Sequence, residues 1–271
     1  LAPLFYQPLR EGGIAFHAAM DAKTAEAALT PYLDLPSPSD GARSQILSPP
    51  ALHTKDLSYR YPLTEEAVLT GLNLSFPAGK STVLAGASGI GKSTLLLLLA
   101  GQTAPTEGSI LLADGAGSAN VFDLAQLSEE TKQHLITYVP QEPHLLSGTL
   151  MENVSLLSSS SNERIEQALD AAHLSVRAHP FHQGLFTRLG EGGQTISAGQ
   201  RKRLGIARAL FQARPIVLLD EPTAALDEDT AELVRQTILT GFPKKTVIIA
   251  THDERLLHQS AHIFSFKGQS L

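Results

Sequence analysis

A glycine-rich segment that ends in lysine and serine is the strongest chemical signal in the sequence. Residues 86–93 read Gly-Ala-Ser-Gly-Ile-Gly-Lys-Ser, which matches the phosphate-binding pattern G-x-x-x-x-G-K-[ST] in full. Glycines let backbone N–H groups surround phosphates, and a following helix adds the positive end of its dipole. The segment predicts a nucleoside triphosphate site whose binding residues are Gly86, Ser88, Gly89, Gly91, Lys92, Ser93 and Thr94.

An acidic pair at the end of an apolar run supplies the second half of such a site. Asp220 and Glu221 follow the run Ile216–Leu219 directly. Asp220 and the Ser93 hydroxyl are predicted to hold Mg²⁺, while Lys92 reaches the β- and γ-phosphates. Glu221, one residue further, is predicted to polarise an attacking water. The two segments therefore predict Mg²⁺-dependent hydrolysis of a nucleoside triphosphate.

The elements that must position these residues alternate along the chain. Strand-like and helix-like runs in alternation predict an α/β fold with a largely parallel sheet. The predicted strands are Leu72–Phe76, Thr82–Gly86, Ile110–Leu112, Leu135–Val139, Ile216–Asp220, Thr246–Ala250 and His262–Phe266. The predicted helices are Lys92–Gly101, Asn162–His173, Ala198–Gln212, Asp229–Gly241 and Asp253–Gln259. Residues 1–34 are predicted as an interrupted helix, residues 36–50 as a Pro/Ser-rich linker, and the remainder as a compact domain.

Composition excludes several classes of function. The 271 residues contain no cysteine, which excludes disulfides, Cys-ligated zinc, iron–sulfur ligation and thiol catalysis. The net charge of −6 argues against a dedicated nucleic-acid binder, and the basic run Arg201–Arg203 is predicted as a solvated helix face. The longest apolar run, Leu95–Ala100, is far shorter than the roughly 20 residues that span a bilayer.

A third segment narrows the class of enzyme. Residues 196–210 read Ile-Ser-Ala-Gly-Gln-Arg-Lys-Arg-Leu-Gly-Ile-Ala-Arg-Ala-Leu. This segment resembles the LSGGQ signature of ATP-binding cassette (ABC) ATPases and its continuation, with Ala198 where the family has glycine. Ser197 is predicted to cap a helix N-terminus, which is a second anion site on the same chain. The resemblance to the ABC family extends over residues 52–266.

Membership of this family implies the fold and the remaining site residues. It implies a P-loop NTPase core with a mostly parallel sheet, an antiparallel β subdomain, and an inserted α-helical subdomain at about residues 142–213. It implies ATP and Mg²⁺ as ligands, with Ser93, Gln141 and Asp220 at the metal and Glu221 and His252 as catalytic residues. It also implies that Tyr61 stacks on adenine (Tyr59 is the competing choice), that Ala225–Asp227 is the D-loop, and that the signature residues face another nucleotide across a head-to-tail dimer: Ser197, Gly199 and Gln200.

Two further segments resemble the exporter branch of the family. Residues 147–154 read Ser-Gly-Thr-Leu-Met-Glu-Asn-Val, and residues 191–194 read Glu-Gly-Gly-Gln, the latter like the exporter X-loop. Residues 5–18, Phe-Tyr-Gln-Pro-Leu-Arg-Glu-Gly-Gly-Ile-Ala-Phe-His-Ala, resemble the end of the last membrane helix in CydD-type subunits. In that interpretation residues 1–35 are the tail of that helix and its extension, residues 36–50 a linker, and residues 51–271 the ATPase domain.

The CydD-type resemblance implies a partner, a location and a cargo. The partner is a second ABC ATPase domain in a CydC-like half, and the chain contacts the membrane only through a transmembrane domain. That places it at the cytoplasmic face of the inner membrane, with no nucleic-acid partner. The cargo implied is a thiol, cysteine or glutathione, for cytochrome bd assembly. The alternatives are an exporter of lipid, peptide, haem or drug, and a non-transport ABC ATPase of DNA repair or translation.

Overall fold

The computed structural model of the chain describes residues 23, 49–113, 121–175, 181–190, 196–259 and 262–265. The chain divides into two compact units, residues 1–40 and residues 41–271. Apart from Lys23, which is helical, the predicted helix over residues 1–34 lies outside the described residues, as does the predicted linker up to residue 48. All the elements that follow belong to the second unit.

The described residues form strands and helices in alternation. In chain order the strands are β1 (Ala51–Tyr59), β2 (Leu69–Leu72), β3 (Ser75–Phe76), β4 (Ser81–Ala85), β5 (Glu107–Ala113), β6 (Val121–Asp123), β7 (Ile136–Val139), β8 (Gly148–Thr149), β9 (Arg188–Leu189), β10 (Ile216–Asp220), β11 (Thr246–Thr251) and β12 (His262–Ser265). The helices are α1 (Lys92–Leu99), α2 (Glu129–Leu135), α3 (Leu150–Ser155), α4 (Asn162–Ala171), α5 (Ala198–Gln212), α6 (Glu228–Gly241) and α7 (Glu254–Gln259). Short 3₁₀ turns lie at Leu124–Gln126 and Gly184–Phe186.

A five-stranded parallel sheet in the order β12-β4-β11-β10-β7 forms the centre of the domain. Strands β10 and β11 are buried at every position, as expected for strands covered on both faces. The register pairs Asp220 with Ala250 and Thr251 with Ala85. The carboxyl ends of β4, β10 and β11 therefore meet at one edge of the sheet, where the predicted phosphate loop and acidic pair are located.

A second, antiparallel sheet packs against the same helix as the parallel one. Its path is β2-β1-β5-β6, and β3 also pairs with β1. Helix α1 is apolar nearly all round, and Leu95, Leu96, Leu98 and Leu99 are completely buried in a core shared with both sheets. This packing anchors the N-terminus of α1 at the edge described above.

A helical region separates β7 from β10 in the chain. Helices α3, α4 and α5 and the small β8–β9 sheet enclose their own apolar core, which includes Leu150, Ile165, Leu169 and Leu204. Together with the parallel and antiparallel sheets, this region gives the three parts of the fold class predicted from the family resemblance.

The segment predicted as one strand, Leu72–Phe76, is instead the end of β2 followed by β3. Leu72 pairs with Leu57, whereas Phe76 pairs with Leu52, so the two pieces pair with different parts of β1. The register of β1 against β5 shifts near Asp56, whose φ of 49° interrupts the strand. Strands β1, β6, β8 and β9 and helices α2 and α3 were not predicted.

Candidate active site

The glycine-rich segment forms the turn from β4 into α1. Gly91 precedes α1 with a φ of 99°, and a Cβ placed on it would lie 2.7 Å from Cδ2 of Leu69. Both facts require glycine at this position. Among the residues that the structure describes, no side chain caps the N-terminus of α1. A helix end of this kind, with a bare backbone, is suited to receive a phosphate.

The Lys92 ammonium is held inside this turn. It is almost fully buried and donates hydrogen bonds to the carbonyl oxygens of Gly86, at 2.7 Å, and Ala87, at 2.9 Å. Its Nζ also lies 3.7 Å from Oε1 of Glu221. The positive charge is therefore held by its own loop beside the acidic pair, where it can act as a counter-charge to the phosphates of a nucleotide.

Asp220 and Ser93 form the oxygen pair that the sequence assigns to Mg²⁺. The Ser93 hydroxyl donates to Oδ1 of Asp220 at 3.0 Å, and the Tyr138 hydroxyl donates to Oδ2 at 3.1 Å. Burial raises the pKa of Asp220, and these two hydrogen bonds partly offset that shift. Burial and the neighbouring carboxylate raise the pKa of Tyr138, which keeps its hydroxyl a donor. A hydroxyl next to a carboxylate fits a hard cation that prefers oxygen ligands.

Glu221 occupies the turn after β10. Its carboxyl group is buried, its φ is 43°, and its N–H donates to the Ala250 carbonyl at 2.8 Å. Nδ1 of His252 lies 3.0 Å from Oε2 of Glu221, yet within the described residues Oε2 has no hydrogen-bond partner. A buried carboxylate oxygen without a donor can accept a proton from a water molecule placed beside it.

These groups surround one cavity of about 300 Å³. Gly86 and Asp220 lie behind its wall, where they bond Lys92 and Ser93. The residues that line it are Tyr61, Val68, Ser88, Gly89, Gly91, Lys92, Ser93, Thr94, Gln141, Glu221 and His252. Of the predicted site residues, the structure thus brings together all except the three of the Ser197 segment.

The two candidate aromatic residues occupy different places. Tyr61 lines the cavity, is 40% exposed, and shares a hydrogen bond of 2.9 Å with Oγ1 of Thr94. Tyr59 is only 7% exposed and belongs to the core, with its ring edge-to-face against Tyr61 at 5.0 Å. Of the two candidates, Tyr61 is therefore the one in the cavity wall.

The signature segment lies outside the cavity and forms the N-terminus of α5. Oγ of Ser197 accepts from the Gln200 N–H at 3.1 Å, and Oε1 of Gln200 accepts from the Ser197 N–H at 2.8 Å. This reciprocal pair is a capping box. Ser197, Gly199 and Gln200 are absent from the lining of the cavity that contains Lys92.

The prediction that Arg201–Arg203 form a solvated face is wrong for Lys202. Its side chain is 7% exposed, and its ammonium donates to the Glu221 carbonyl at 3.0 Å and to the Ala224 carbonyl. Helical spacing carried a signal for this burial, because Gly205, Ile206 and Ala209 lie three, four and seven residues further on and are also buried. Tyr138, which supports Asp220, was also not identified from the sequence.

Comparison with known proteins supports the family resemblance seen in the sequence. The sequence profile of the family described as ABC transporter matches residues 69–224. The CydC protein of a glutathione/L-cysteine transport system from Bacillus subtilis is 33% identical over 93% of this chain and 43% of its own length. The Escherichia coli CydD protein of such a system is 34% identical over 93% of this chain and 42% of its own length.

A solved structure agrees with these sequence relatives. A bacterial Atm1-family ABC exporter with ATP bound superposes with a TM-score of 0.78 at 26% identity, covering 98% of this chain and 46% of that one. The chain thus spans less than half the length of these relatives. Of the helices that the structure describes, none combines the length and the apolar character needed to cross a bilayer.

The matched family region includes the main motifs of the site but neither Tyr61 nor His252. It contains the loop that ends in Lys92 and Ser93, the signature segment at Ser197, and the acidic pair Asp220–Glu221. The predicted family and fold class are therefore confirmed, and the chain belongs to the ABC transporter family as one of its ATPase domains.

Proposed function

We propose that the cavity between α1 and the carboxyl edge of the parallel sheet binds and hydrolyses MgATP to power export. The observation that carries this proposal is the convergence of Lys92, Glu221 and His252 on one cavity. A buried cation for phosphate, a buried carboxylate and an imidazole beside it are groups suited to hydrolysis of a phosphoanhydride.

Mg²⁺ would be held by the Ser93 hydroxyl and the Asp220 carboxylate, with Gln141 near them in the cavity wall. When bound, the metal neutralises charge on the phosphates. The hydrogen bond from Tyr138 leaves Asp220 with a fixed orientation toward Ser93. The donor set of a hydroxyl, a carboxylate and an amide oxygen matches the preference of the cation.

The chain's own residues perform the other tasks. Lys92 supplies a fixed positive charge to the phosphates, and Tyr61 offers its ring to adenine. Glu221 orients a water molecule and accepts its proton on Oε2. His252, whose ring is largely exposed at the mouth of the cavity, holds the γ-phosphate side in place.

We further propose that Ser197, Gly199 and Gln200 complete a nucleotide site on a second ATPase domain. Their N-terminal turn of α5 lies outside the cavity of their own chain. A head-to-tail pair of domains would place each such turn against the other's ATP. Dimer closure and opening would then drive attached membrane helices between inward- and outward-facing states.

For the complete transporter, we propose a heterodimer of CydD and CydC type that exports cysteine or glutathione. The support is the similarity to proteins named for glutathione/L-cysteine transport. In this proposal the chain is the CydD-like half, residues 1–35 continue the last membrane helix, and the ATPase domain lies at the cytoplasmic face of the inner membrane.

The proposed role of Glu221 is tested by Glu221→Gln, the variant with the largest predicted effect on turnover. We expect ATP affinity within about twofold of wild type and a rate at least about 100-fold lower, because the amide keeps the shape and loses the base. ATP affinity is measured by fluorescence titration and turnover by phosphate release. Turnover like that of the wild type would remove Glu221 from catalysis.

The cargo is tested with the complete transporter in inverted membrane vesicles. ATP-dependent uptake of labelled glutathione or cysteine should occur with the wild type and be absent with Glu221→Gln. ATP hydrolysis that is not accompanied by uptake of either thiol would leave the ATPase assignment intact and overturn the cargo.

A further inference from the structure

The side chain of Lys202 links helix α5 to the turn that carries Glu221. Lys202 lies near the start of α5, one helical turn after Ala198. Its buried ammonium donates to the carbonyl oxygen of Glu221 at 3.0 Å and to the carbonyl oxygen of Ala224. A buried lysine that ends on two main-chain carbonyls of one turn fixes the conformation of that turn.

The turn needs such support because its backbone is strained. Glu221 has a φ of 43° and Ala225 a φ of 58°, both in the left-handed region. A residue other than glycine is unfavourable in this region and persists only where the surroundings hold it. Among the bonds that hold the turn are Glu221 N–H to Ala250 and Ala224 N–H to Glu221.

Lys202 does not line the cavity, so a nucleotide there would not touch it. Its charge is nevertheless close to the acidic groups of the site. Burial lowers the pKa of Lys202, and the carboxylates of Glu221, Glu142 and Asp220 oppose that shift. Glu142 directly follows Gln141, so the ammonium lies among acidic residues from both sides of the site.

We propose that Lys202 is a positioning residue for ATP hydrolysis, which holds the Glu221–Ala224 turn so that the Glu221 carboxylate faces the cavity. This inference rests on the proposed catalytic role of Glu221. Because Lys202 and Ser197 lie on the same helical segment, the same contact joins the signature turn to the chain's own catalytic glutamate.

The test compares Lys202→Met, Lys202→Gln and Lys202→Arg with wild type at matched protein concentrations. The first two should lower kcat at saturating MgATP at least about tenfold, since two charge-assisted hydrogen bonds are lost. The Kd for MgATP should stay within about twofold, because the cavity wall is unchanged. Lys202→Arg keeps the charge and several donors, so it should recover most of the rate.

A matched control is Arg214→Met. Arg214 is also a basic side chain that donates to a main-chain carbonyl, that of Ile136 at 2.7 Å, but it does not line the nucleotide cavity. It should leave both kcat and Kd within about twofold of wild type. Thermal unfolding of each variant identifies those that remain folded at the assay temperature, and Lys202→Gln serves if Lys202→Met does not.

A double-mutant cycle with Glu221→Gln separates positioning from general structural support. If Lys202 acts through Glu221, adding Lys202→Met to Glu221→Gln should lower the residual rate less than about twofold. A full tenfold loss in that background, or kcat within twofold in both Lys202→Met and Lys202→Gln, would overturn the inference. Wild-type turnover in Glu221→Gln alone would instead overturn the proposed function.

Discussion

Two helix N-termini of this chain, those of α1 and α5, are suited to anions but are built differently. The N-terminus of α1 follows Gly91 in a left-handed conformation, has no cap from any side chain in the described part of the chain, and opens into a cavity that also holds Lys92. The N-terminus of α5 is closed by the reciprocal hydrogen bonds of Ser197 and Gln200 and lies outside that cavity.

The difference indicates which helix N-terminus has all the groups of a nucleotide site within one chain. At α1, the cation, the oxygen pair for Mg²⁺ and the candidate base all come from the same chain and meet at one sheet edge. At α5, the side-chain cap is satisfied by Ser197 and Gln200 themselves. In the function proposed above, the first end binds ATP and the second completes a nucleotide site on another domain.

Loss of the Lys92 ammonium at the N-terminus of α1 should have the largest effect on MgATP binding. We expect Lys92→Ala to raise the Kd for MgATP by about 100-fold, because a buried counter-charge to the phosphates is removed. Lys132→Ala is the control, since that ammonium pairs with Glu129 at 2.7 Å outside the nucleotide cavity. Equal affinity in the Lys92 variant, measured by fluorescence titration, would contradict its assignment.

Blocking the N-terminus of α5 should lower ATP turnover and leave ATP binding unchanged. In wild type we expect turnover to rise faster than linearly with protein concentration, because two domains must meet. Ser197→Arg should abolish that rise, at least about a tenfold loss at high concentration, while ATP affinity stays within twofold. Ser161→Arg is the control, because the Ser161 side chain also caps a helix N-terminus, that of α4, by accepting from the Arg164 N–H at 3.4 Å. Loss of ATP binding by Ser197→Arg would place both ends in one site.

Tyr61, in the wall of the cavity at α1, should contribute a smaller part of the affinity for ATP. We expect Tyr61→Leu to weaken ATP binding about tenfold, the usual value of stacking between a base and an aromatic ring. Tyr61→Phe keeps the ring and loses only the hydrogen bond to Thr94, so its affinity should stay within about threefold of wild type. The two variants are compared by titration with ATP, and equal weakening in both would argue against stacking.

The smallest effect is expected for Asp253, the residue that follows His252. Burial raises the pKa of Asp253, but hydrogen bonds from Arg235, at 2.8 Å, and Thr223 outweigh it and lower the pKa. The stability from this shift is therefore fully present above the unfolded pKa of about 4 and is lost as the pH falls below that value through the lower pKa of the folded state. Asp253→Asn should cost about 1 kcal/mol at pH 7, with the difference from wild type shrinking below pH 4.

Urea unfolding at several pH values measures that difference. Glu166→Gln, which removes an exposed carboxylate on α4, is the control and should change stability by less than about 0.5 kcal/mol. If the difference in free energy of unfolding between Asp253→Asn and wild type stayed constant from pH 7 to pH 3, the charged carboxylate of Asp253 would not be the source of the stabilisation.

Local sequence determined the residues at the N-terminus of α1. The turn before α1 needs glycine at a φ of 99°, and a lysine and a serine directly follow it, so eight consecutive residues specify the geometry. The strands that end at Asp220 and near His252 are continuous apolar runs, and in a parallel sheet the ends of such strands meet at the same edge. For this reason the fold class and the positions of Lys92, Ser93, Asp220 and Glu221 could be predicted from the residues themselves. The family, and with it Tyr61, Gln141 and His252, came from the resemblance of residues 196–210 to the ABC signature.

Packing between distant segments decided the rest. Which of Tyr59 and Tyr61 faces the cavity depends on the course of β1 beside α1. The hydrogen bond of Tyr138 to Asp220 joins two strands that are far apart in the chain, and the burial of Lys202 requires α5 to lie against the turn after β10. Sequence periodicity describes one element at a time. A side chain such as Lys202 acquires its role from the carbonyls of another element, which only the tertiary structure brings within hydrogen-bond distance.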